Sequence, residues 1–240
     1  MQAITNTWVY LAQTPLLWLT VTLVIYQSGA VLYRRLNSPT ILNPIITSIV
    51  VLVTLLLLTG TPYQTYFEGA QFVHFLLGPA TVALAVPLYR YSKKLTQLFA
   101  PVTGALLIGS LTGTLSAVGL GWLFNLSTAT LLSLAPKSIT TPIAMGVAEQ
   151  IGGLPSLTTV FVVFTGILGA LLGPKSLDFL RIKEFSVRGF TLGLSAHGLG
   201  TAMAFQENEE AGAFAGLAMG LNGAVTAILV PILVRLLGLN

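Results

Sequence analysis

The chain is divided into long apolar runs, each close to the length that an α-helix needs to cross a lipid bilayer. A bilayer core about 30 Å thick takes about 20 helical residues. Apolar runs of this kind, separated by short polar or charged turns, occupy residues 16–33, 41–59, 72–89, 98–124, 129–151, 158–172, 189–205 and 211–237. The pattern predicts an all-α polytopic membrane protein.

The chain has too few charged residues to form the water-facing surface of a soluble domain. Hydrophobic residues make up 54% of the 240 residues and charged residues only 8%, whereas a soluble domain carries about 25% charged residues. The absence of cysteine and the presence of only two histidines leave no metal-ligand pattern. We therefore expect no metal, no cofactor and no enzyme activity. The net charge of +4 lies in the turns, which indicates cytoplasmic loops rather than nucleic-acid binding.

The basic turns predict the topology in the cytoplasmic (inner) membrane of a bacterium. Residues 34–35, 90–94 and 175–188 carry most of the basic side chains and are expected inside. The acidic turn at 207–210 is then expected outside. This arrangement requires that the stretch 124–154 crosses an even number of times, or enters and returns.

A short internal repeat points to a transporter. Gly78-Pro79-Ala80-Thr81 and Gly198-Leu199-Gly200-Thr201 lie half the chain length apart, and each interrupts an apolar run. Paired breaks of this kind are typical of transporter binding sites. We therefore predict an inverted-repeat transporter core with broken or re-entrant helices, in a single domain 1–240 whose halves are roughly 1–124 and 125–240.

The first break offers a backbone anion site. Pro79 removes a backbone donor, and Gly78 permits unwinding. The N–H groups around Pro79, Ala80 and Thr81 are candidates to hold a carboxylate, because a helix N-terminus carries a partial positive charge. A proline kink in a packed helix is the alternative interpretation.

The second break combines hydroxyl groups with a cation. Lys137, Ser138, Thr140 and Thr141 immediately precede Pro142, which suits the first turn of a helix. An ionisable group inside a membrane is costly, so Lys137 is a candidate partner for a substrate carboxylate. Snorkelling of its side chain from the end of a span is the alternative.

The third break places polar side chains between glycines. Ser195, His197 and Thr201 offer hydrogen bonds, while Gly198 and Gly200 allow the backbone to unwind or to approach a ligand. The backbone N–H groups from Gly198 to Thr201 are therefore further candidates to hold the carboxylate. His197 is a candidate for proton coupling, and a structural histidine is the alternative. No G-x-S-x-G motif accompanies Ser195, so a hydrolase is not indicated.

The three motifs, at residues 74–89, 136–144 and 195–202, resemble the LrgB/CidB family over nearly the whole chain. Bacterial members of that family are described as holin-like or antiholin-like partners in the control of murein hydrolases and autolysis. A chloroplast relative, the plastidial glycolate/glycerate translocator, exchanges these two acids. The resemblance therefore implies transport of small hydroxy- or keto-monocarboxylates.

From residues and resemblance together we predict a transporter of small monocarboxylates such as glycolate, glycerate, lactate or pyruvate. The substrate is expected where the three breaks meet near the bilayer midplane. The alternative is a holin-like or antiholin-like protein that regulates murein hydrolase activity. We expect a homodimer, with the runs 41–59 and 158–172 as its scaffold. The chain is expected to act either alone or with a small LrgA-like membrane partner.

Overall fold

The computed structural model describes residues 15–36 and 42–239, and this part of the chain is entirely helical and irregular, without strands. Two compact units, Met1–Val82 and Ala83–Asn240, divide it. The helices are α1 (Pro15–Arg35), α2 (Pro44–Thr59), α3 (Tyr63–Phe75), α4 (Leu77–Ala83), α5 (Ala85–Arg90), α6 (Ser92–Gln97), α7 (Phe99–Leu123), α8 (Thr128–Leu134), α9 (Thr141–Gln150), α10 (Pro155–Phe179), α11 (Phe185–Glu207) and α12 (Glu209–Leu236).

Several of these helices have the length and composition of membrane spans. Among the described residues, five helical stretches qualify, namely Leu16–Arg35, Tyr63–Arg90, Phe99–Leu123, Pro155–Phe179 and Glu209–Leu236. Helix α2 is apolar but shorter; its expected run began at residue 41, which lies outside the described residues. The prediction of an all-α, multi-pass membrane protein is thereby confirmed.

The first unit packs α1 against α2 and α3. Helix α2 begins at a proline, and the side chain of Asn43 caps it by accepting a hydrogen bond from the N–H of Ile45 at 2.9 Å. Trp18 meets Tyr66 of α3 edge-on, with ring centroids 5.8 Å apart. The helix cap and the aromatic contact thus stabilise the packing of the first unit.

In the second unit, α11 is not a straight span but a helical hairpin. Ala196 and His197 leave helical geometry, and His197 has φ 42° and ψ −125°. A Cβ atom added at Gly200 would lie 2.0 Å from the carbonyl oxygen of Leu192, so the two arms pass backbone against backbone. We call residues 185–207 the second hairpin, with its tip at 196–197.

Helix α12 packs against the first arm of this hairpin and runs parallel to it. Gly189 faces Ala211 and Gly193 faces Ala215, with carbonyl oxygens 1.9 and 2.1 Å from the positions of the absent Cβ atoms. Such distances exclude any side chain. Glycine therefore sets the separation between hairpin and helix.

Replacing Gly193 with alanine is expected to destabilise the protein by about 2 kcal/mol, because the new methyl group overlaps the carbonyl of Ala215. Thermal unfolding in detergent, followed by tryptophan fluorescence, measures the loss. Gly104→Ala in α7 is the matched control, since nothing lies within 4 Å of its Cβ position. That change is expected to stabilise by up to about 1 kcal/mol through helix propensity. Equal effects of the two substitutions would contradict the close packing.

The stretch between α7 and α10 begins and ends at the same end of the second unit. Lys94, just before α7, contacts Glu184, just after α10, so the start of α7 and the end of α10 lie at one end of the unit. The N–H of Leu154 donates to Ser133 Oγ at 2.7 Å, and Thr158 Oγ1 donates to the carbonyl of Ser133 at 3.0 Å. We call residues 128–150, which comprise α8, α9 and their connection, the first hairpin; its tip is the non-helical connection at 135–140.

The acidic turn at 207–210 lies at the same end of the second unit as the basic turns at 90–94 and 175–188, so its expected position on the opposite side from them is wrong. Glu207 pairs with Arg188 at 2.8 Å, Glu209 with Arg90 at 2.6 Å and Glu210 with Lys94 at 2.6 Å. The reason is that the run 189–205 doubles back within the second hairpin instead of crossing. Hydrogen bonds to Glu184 and Glu210 raise the pKa of Lys94, and Lys94 lowers the pKa of Glu184.

Candidate functional site

A cavity of about 720 Å³ lies inside the second unit. It occupies the middle of α7, α10 and α12, where the tips of both hairpins also arrive. The lining residues are Gly109, Ser110, Thr112, Gly113, Thr114, Ala135, Lys137, Ser138, Thr165, Leu168, Gly169, Leu172, Thr191, Leu194, Ser195, Asn222 and Thr226. The cavity lies halfway along three helices that are long and apolar enough to span a bilayer.

Eight of the seventeen residues that line the cavity carry a hydroxyl group, and one carries a charge. Lys137 is the only charged side chain among the described lining residues. Its Nζ atom lies 3.2 Å from Ser138 Oγ, to which it donates a hydrogen bond. Ser195 Oγ donates to the carbonyl of Thr191 at 2.7 Å and keeps its acceptor lone pairs. An ammonium group beside hydroxyl groups suits a small anion with further oxygen atoms.

Asn222 connects the two hairpins at the cavity wall. Its side chain is 2% exposed. Nδ2 donates to the carbonyl of Ser138 at 3.2 Å and to the carbonyl of Leu194 at 2.9 Å. Oδ1 accepts from Ser110 Oγ at 2.7 Å and from Thr226 Oγ1 at 3.1 Å. The amide thereby uses its two donors and two acceptor positions.

The structure brings three of the predicted site residues to the cavity, namely Lys137, Ser138 and Ser195. Thr140 and Thr141 lie at the start of α9 and are not among the lining residues. Thr140 is the residue before the helix, and its carbonyl accepts from the N–H of Ala144 at 2.9 Å. The second break therefore contributes its Lys-Ser pair, while its threonines begin the returning helix.

The residues at the tip of the second hairpin face its neighbours rather than the cavity. His197 is buried, and its Nε2 atom lies 3.0 Å from the carbonyl oxygen of Val162 in α10. Thr201 Oγ1 donates to the carbonyl of His197 at 2.9 Å. Gly198 and Gly200 do not line the cavity, and Gly200 packs against the first arm. For His197, this geometry favours the structural alternative.

The first break lies in the first unit and differs from the expected anion site. Pro79 and Ala80 belong to α4, which follows a turn at Leu76. The N–H of Ala80 donates to the carbonyl of Leu76 at 2.9 Å, and Pro79 has no N–H. The expected open N–H group at Ala80 is thus wrong. The side chain of Thr81 lies outside the described residues.

Sequence reasoning missed most of the cavity wall, above all Asn222, Thr165 and Thr191. A signal was available for α12, because Asn222 and Thr226 are polar residues one helical turn apart inside an otherwise apolar run. Ser110 and Thr114 repeat that spacing in α7. The run 158–172, expected as scaffold, also lines the cavity through Thr165 and Gly169.

Comparison with known proteins agrees with the three motifs. The model of the LrgB-like family matches residues 22–236. The Bacillus subtilis (strain 168) protein YwbG is 37% identical over 216 residues, which cover 88% of this chain and 94% of the relative. The holin-like protein CidB of Staphylococcus epidermidis is 30% identical, with 92% of this chain and 96% of the relative covered. The antiholin-like protein LrgB of Bacillus cereus is 29% identical, with 94% and 98% covered. No solved structure matches the chain. This chain belongs to the LrgB-like family.

Proposed function

We propose that the protein transports small monocarboxylates, such as glycolate, glycerate, lactate or pyruvate, across the bacterial cytoplasmic membrane. The observation that carries the proposal is the position of Lys137, beside hydroxyl-bearing residues, in a cavity halfway along α7, α10 and α12. A half-buried cation without a carboxylate among the described lining residues favours an anionic ligand. The depth of the cavity is that of a binding site reached in turn from the two sides of the membrane.

The lining residues can be assigned to the two functional groups of a hydroxy or keto acid, namely its carboxylate and its hydroxyl or keto oxygen. Lys137 and Ser138 donate to the carboxylate, since charge-assisted hydrogen bonds are the stronger ones. Ser195 and Thr191, on the first arm of the second hairpin, address the second oxygen atom of the substrate. The N–H groups at 198–201, suggested by the sequence as further carboxylate donors, remain a prediction.

The two hairpins support an inverted repeat, with different limits from the expected halves 1–124 and 125–240. Each hairpin is followed by one long helix, in the segments 128–179 and 185–236. The first hairpin has its base at the end of α7, whereas the second has its base at the charged end. We propose that both are re-entrant in the membrane and reach its centre from opposite sides.

The sequence of these segments supports the same proposal. When the sequence 128–179 is aligned with 185–236 without gaps, several aligned pairs are either identical or both line the cavity. The matching pairs are Lys137 with Leu194, Ser138 with Ser195, Thr165 with Asn222, Gly166 with Gly223, Gly169 with Thr226 and Pro174 with Pro231. Pro174 and Pro231 are the internal prolines of α10 and α12.

Uptake of radiolabelled glycolate, lactate or pyruvate into proteoliposomes tests the function. The purified protein is expected to give saturable uptake that an unlabelled acid of the same class competes away. Uptake no faster than in protein-free liposomes, for all three acids, would contradict the proposal.

A second candidate function is a holin-like or antiholin-like role in controlling murein hydrolase activity. The observation that favours it is the similarity to two relatives, the holin-like protein CidB and the antiholin-like protein LrgB; their names support this role more directly than carboxylate transport. In the same liposomes, non-saturable release of unrelated solutes such as glycerol and urea would support it and overturn the carrier. The homodimer and the small LrgA-like partner stay predictions.

A further inference from the structure

We propose that Asn222 is a positioning residue that holds both hairpin tips at the cavity and so fixes the separation of the two walls between which a ligand binds. The consequence for ligand binding rests on the proposed function. The position of the two tips follows from the hydrogen bonds of one buried amide. Neither the three sequence motifs nor their breaks contain this residue.

The hairpin tips leave carbonyl groups that need a partner. In the second hairpin the chain departs from helical geometry at Ala196 and His197, so the last carbonyls of the first arm lose the N–H groups that a continuing helix would supply. Leu194 belongs to this last turn, and Asn222 Nδ2 donates to its carbonyl. A carbonyl freed at membrane depth must be satisfied by protein or by water in a cavity, and here Asn222 supplies the protein donor.

The first hairpin has the same need at its own tip. Ser138 lies in the non-helical connection between α8 and α9, and its carbonyl receives the second Nδ2 proton of Asn222. The side chains on either side of these two carbonyls, Lys137 and Ser138 in one hairpin and Ser195 in the other, line the cavity. One amide therefore sets the distance between the two sets of ligand-facing groups.

The acceptor side of Asn222 fixes the amide to the spanning helices. Oδ1 receives the proton of Thr226 Oγ1 in α12, and Ser110 Oγ in α7 lies 2.7 Å both from Oδ1 and from the carbonyl of Leu106, between which its single proton is shared. With Oδ1 oriented by two hydroxyl groups, the two N–H bonds point to the tips. The matching position of α10 in the proposed repeat is Thr165, whose single hydroxyl proton cannot serve two carbonyls. Of these two matching residues, only Asn222 can therefore donate to both hairpin tips.

The test uses the absence of cysteine from the chain. Ser138→Cys and Ser195→Cys, made separately, report the exposure of each tip by the rate at which a small neutral maleimide labels the protein in liposomes. Adding Asn222→Leu is expected to raise both rates at least fivefold, because both tips lose their donor. Asn222→Thr, whose single hydroxyl proton serves at most one carbonyl, is expected to raise at least one of the two rates. Ser110→Ala, which removes a partner of Oδ1 only, is expected to change them less than twofold.

Unchanged labelling at both cysteines in the Asn222→Leu background would overturn the inference, and so would an increase at only one of them. An equal increase with Ser110→Ala would also overturn it, because that result indicates general loosening. Uptake assays on Asn222→Leu in the cysteine-free chain add a second readout: KM for the transported acid is expected to rise at least tenfold with a smaller change in maximal rate. Labelling needs no transport, so absence of uptake by the unmodified protein refutes the proposed function alone.

Discussion

Replacing Lys137 with methionine is expected to weaken binding of a small carboxylate by roughly 30-fold, because removing one partner of a buried charge pair costs about 2 kcal/mol or more. Lys137 is the one cation among the described residues that line the cavity. Methionine keeps the length of the side chain and its apolar contacts. The concentration dependence of radiolabelled uptake into proteoliposomes measures the change as a rise in KM.

A second lysine separates this local effect from a general effect of charge. Lys175 in α10 is exposed and does not line the cavity. Lys175→Met removes the same charge from the same unit, and its KM is expected to stay within about twofold of the unmodified protein. A similar rise for both variants would show that the net charge of the protein, rather than Lys137, attracts the substrate. Unaltered KM in Lys137→Met would remove Lys137 from the site.

The membrane class of this protein was predictable from composition and periodicity, because a bilayer imposes strict requirements on length and charge. The run 158–172 illustrates this, since it lies within the spanning helix α10. The turn at 90–94 also lies where its basic residues predict, together with residues 175–188 at one end of the second unit. Hydropathy cannot, however, distinguish a span from a hairpin when the apolar content is similar. The run 189–205 was therefore expected to cross, and its acidic end was placed on the wrong side.

The site was less predictable, because a cavity depends on which faces of several helices converge. The breaks in the apolar runs contain Lys137, Ser138 and Ser195, which the structure places at the cavity. They did not reveal Asn222, which lies in an unbroken helix and acts through carbonyls distant in sequence. Nor does a break show which way its residues face: His197 lies at a tip, but its ring contacts the backbone of α10.

The base of the second hairpin is held by Arg188, whose guanidinium group binds both carboxylate oxygens of Glu207, with Nε–Oε2 at 2.8 Å and Nη2–Oε1 at 3.0 Å. Nη1 also donates to Asp178 at 2.7 Å and to the carbonyl of Ile182 at 2.9 Å. The side chain of Arg188 is only 10% exposed and that of Glu207 20%, so solvent screens this pair weakly. Asp178 is 68% exposed and contributes less.

Arg188→Met is expected to lower the melting temperature by roughly 6–12 °C, because removing one partner of a buried ion pair costs about 3 kcal/mol. The bond between the two arms is lost, and Glu207 keeps a half-buried charge. Tryptophan fluorescence during heating in detergent measures the change. Arg90→Met is the matched control, since Arg90 and Glu209 form an ion pair with side chains 64% and 49% exposed. Its melting temperature is expected to fall by no more than roughly 3 °C. Equal losses in both variants would mean that the arms of the second hairpin are held by their glycine packing and not by the Arg188 cluster.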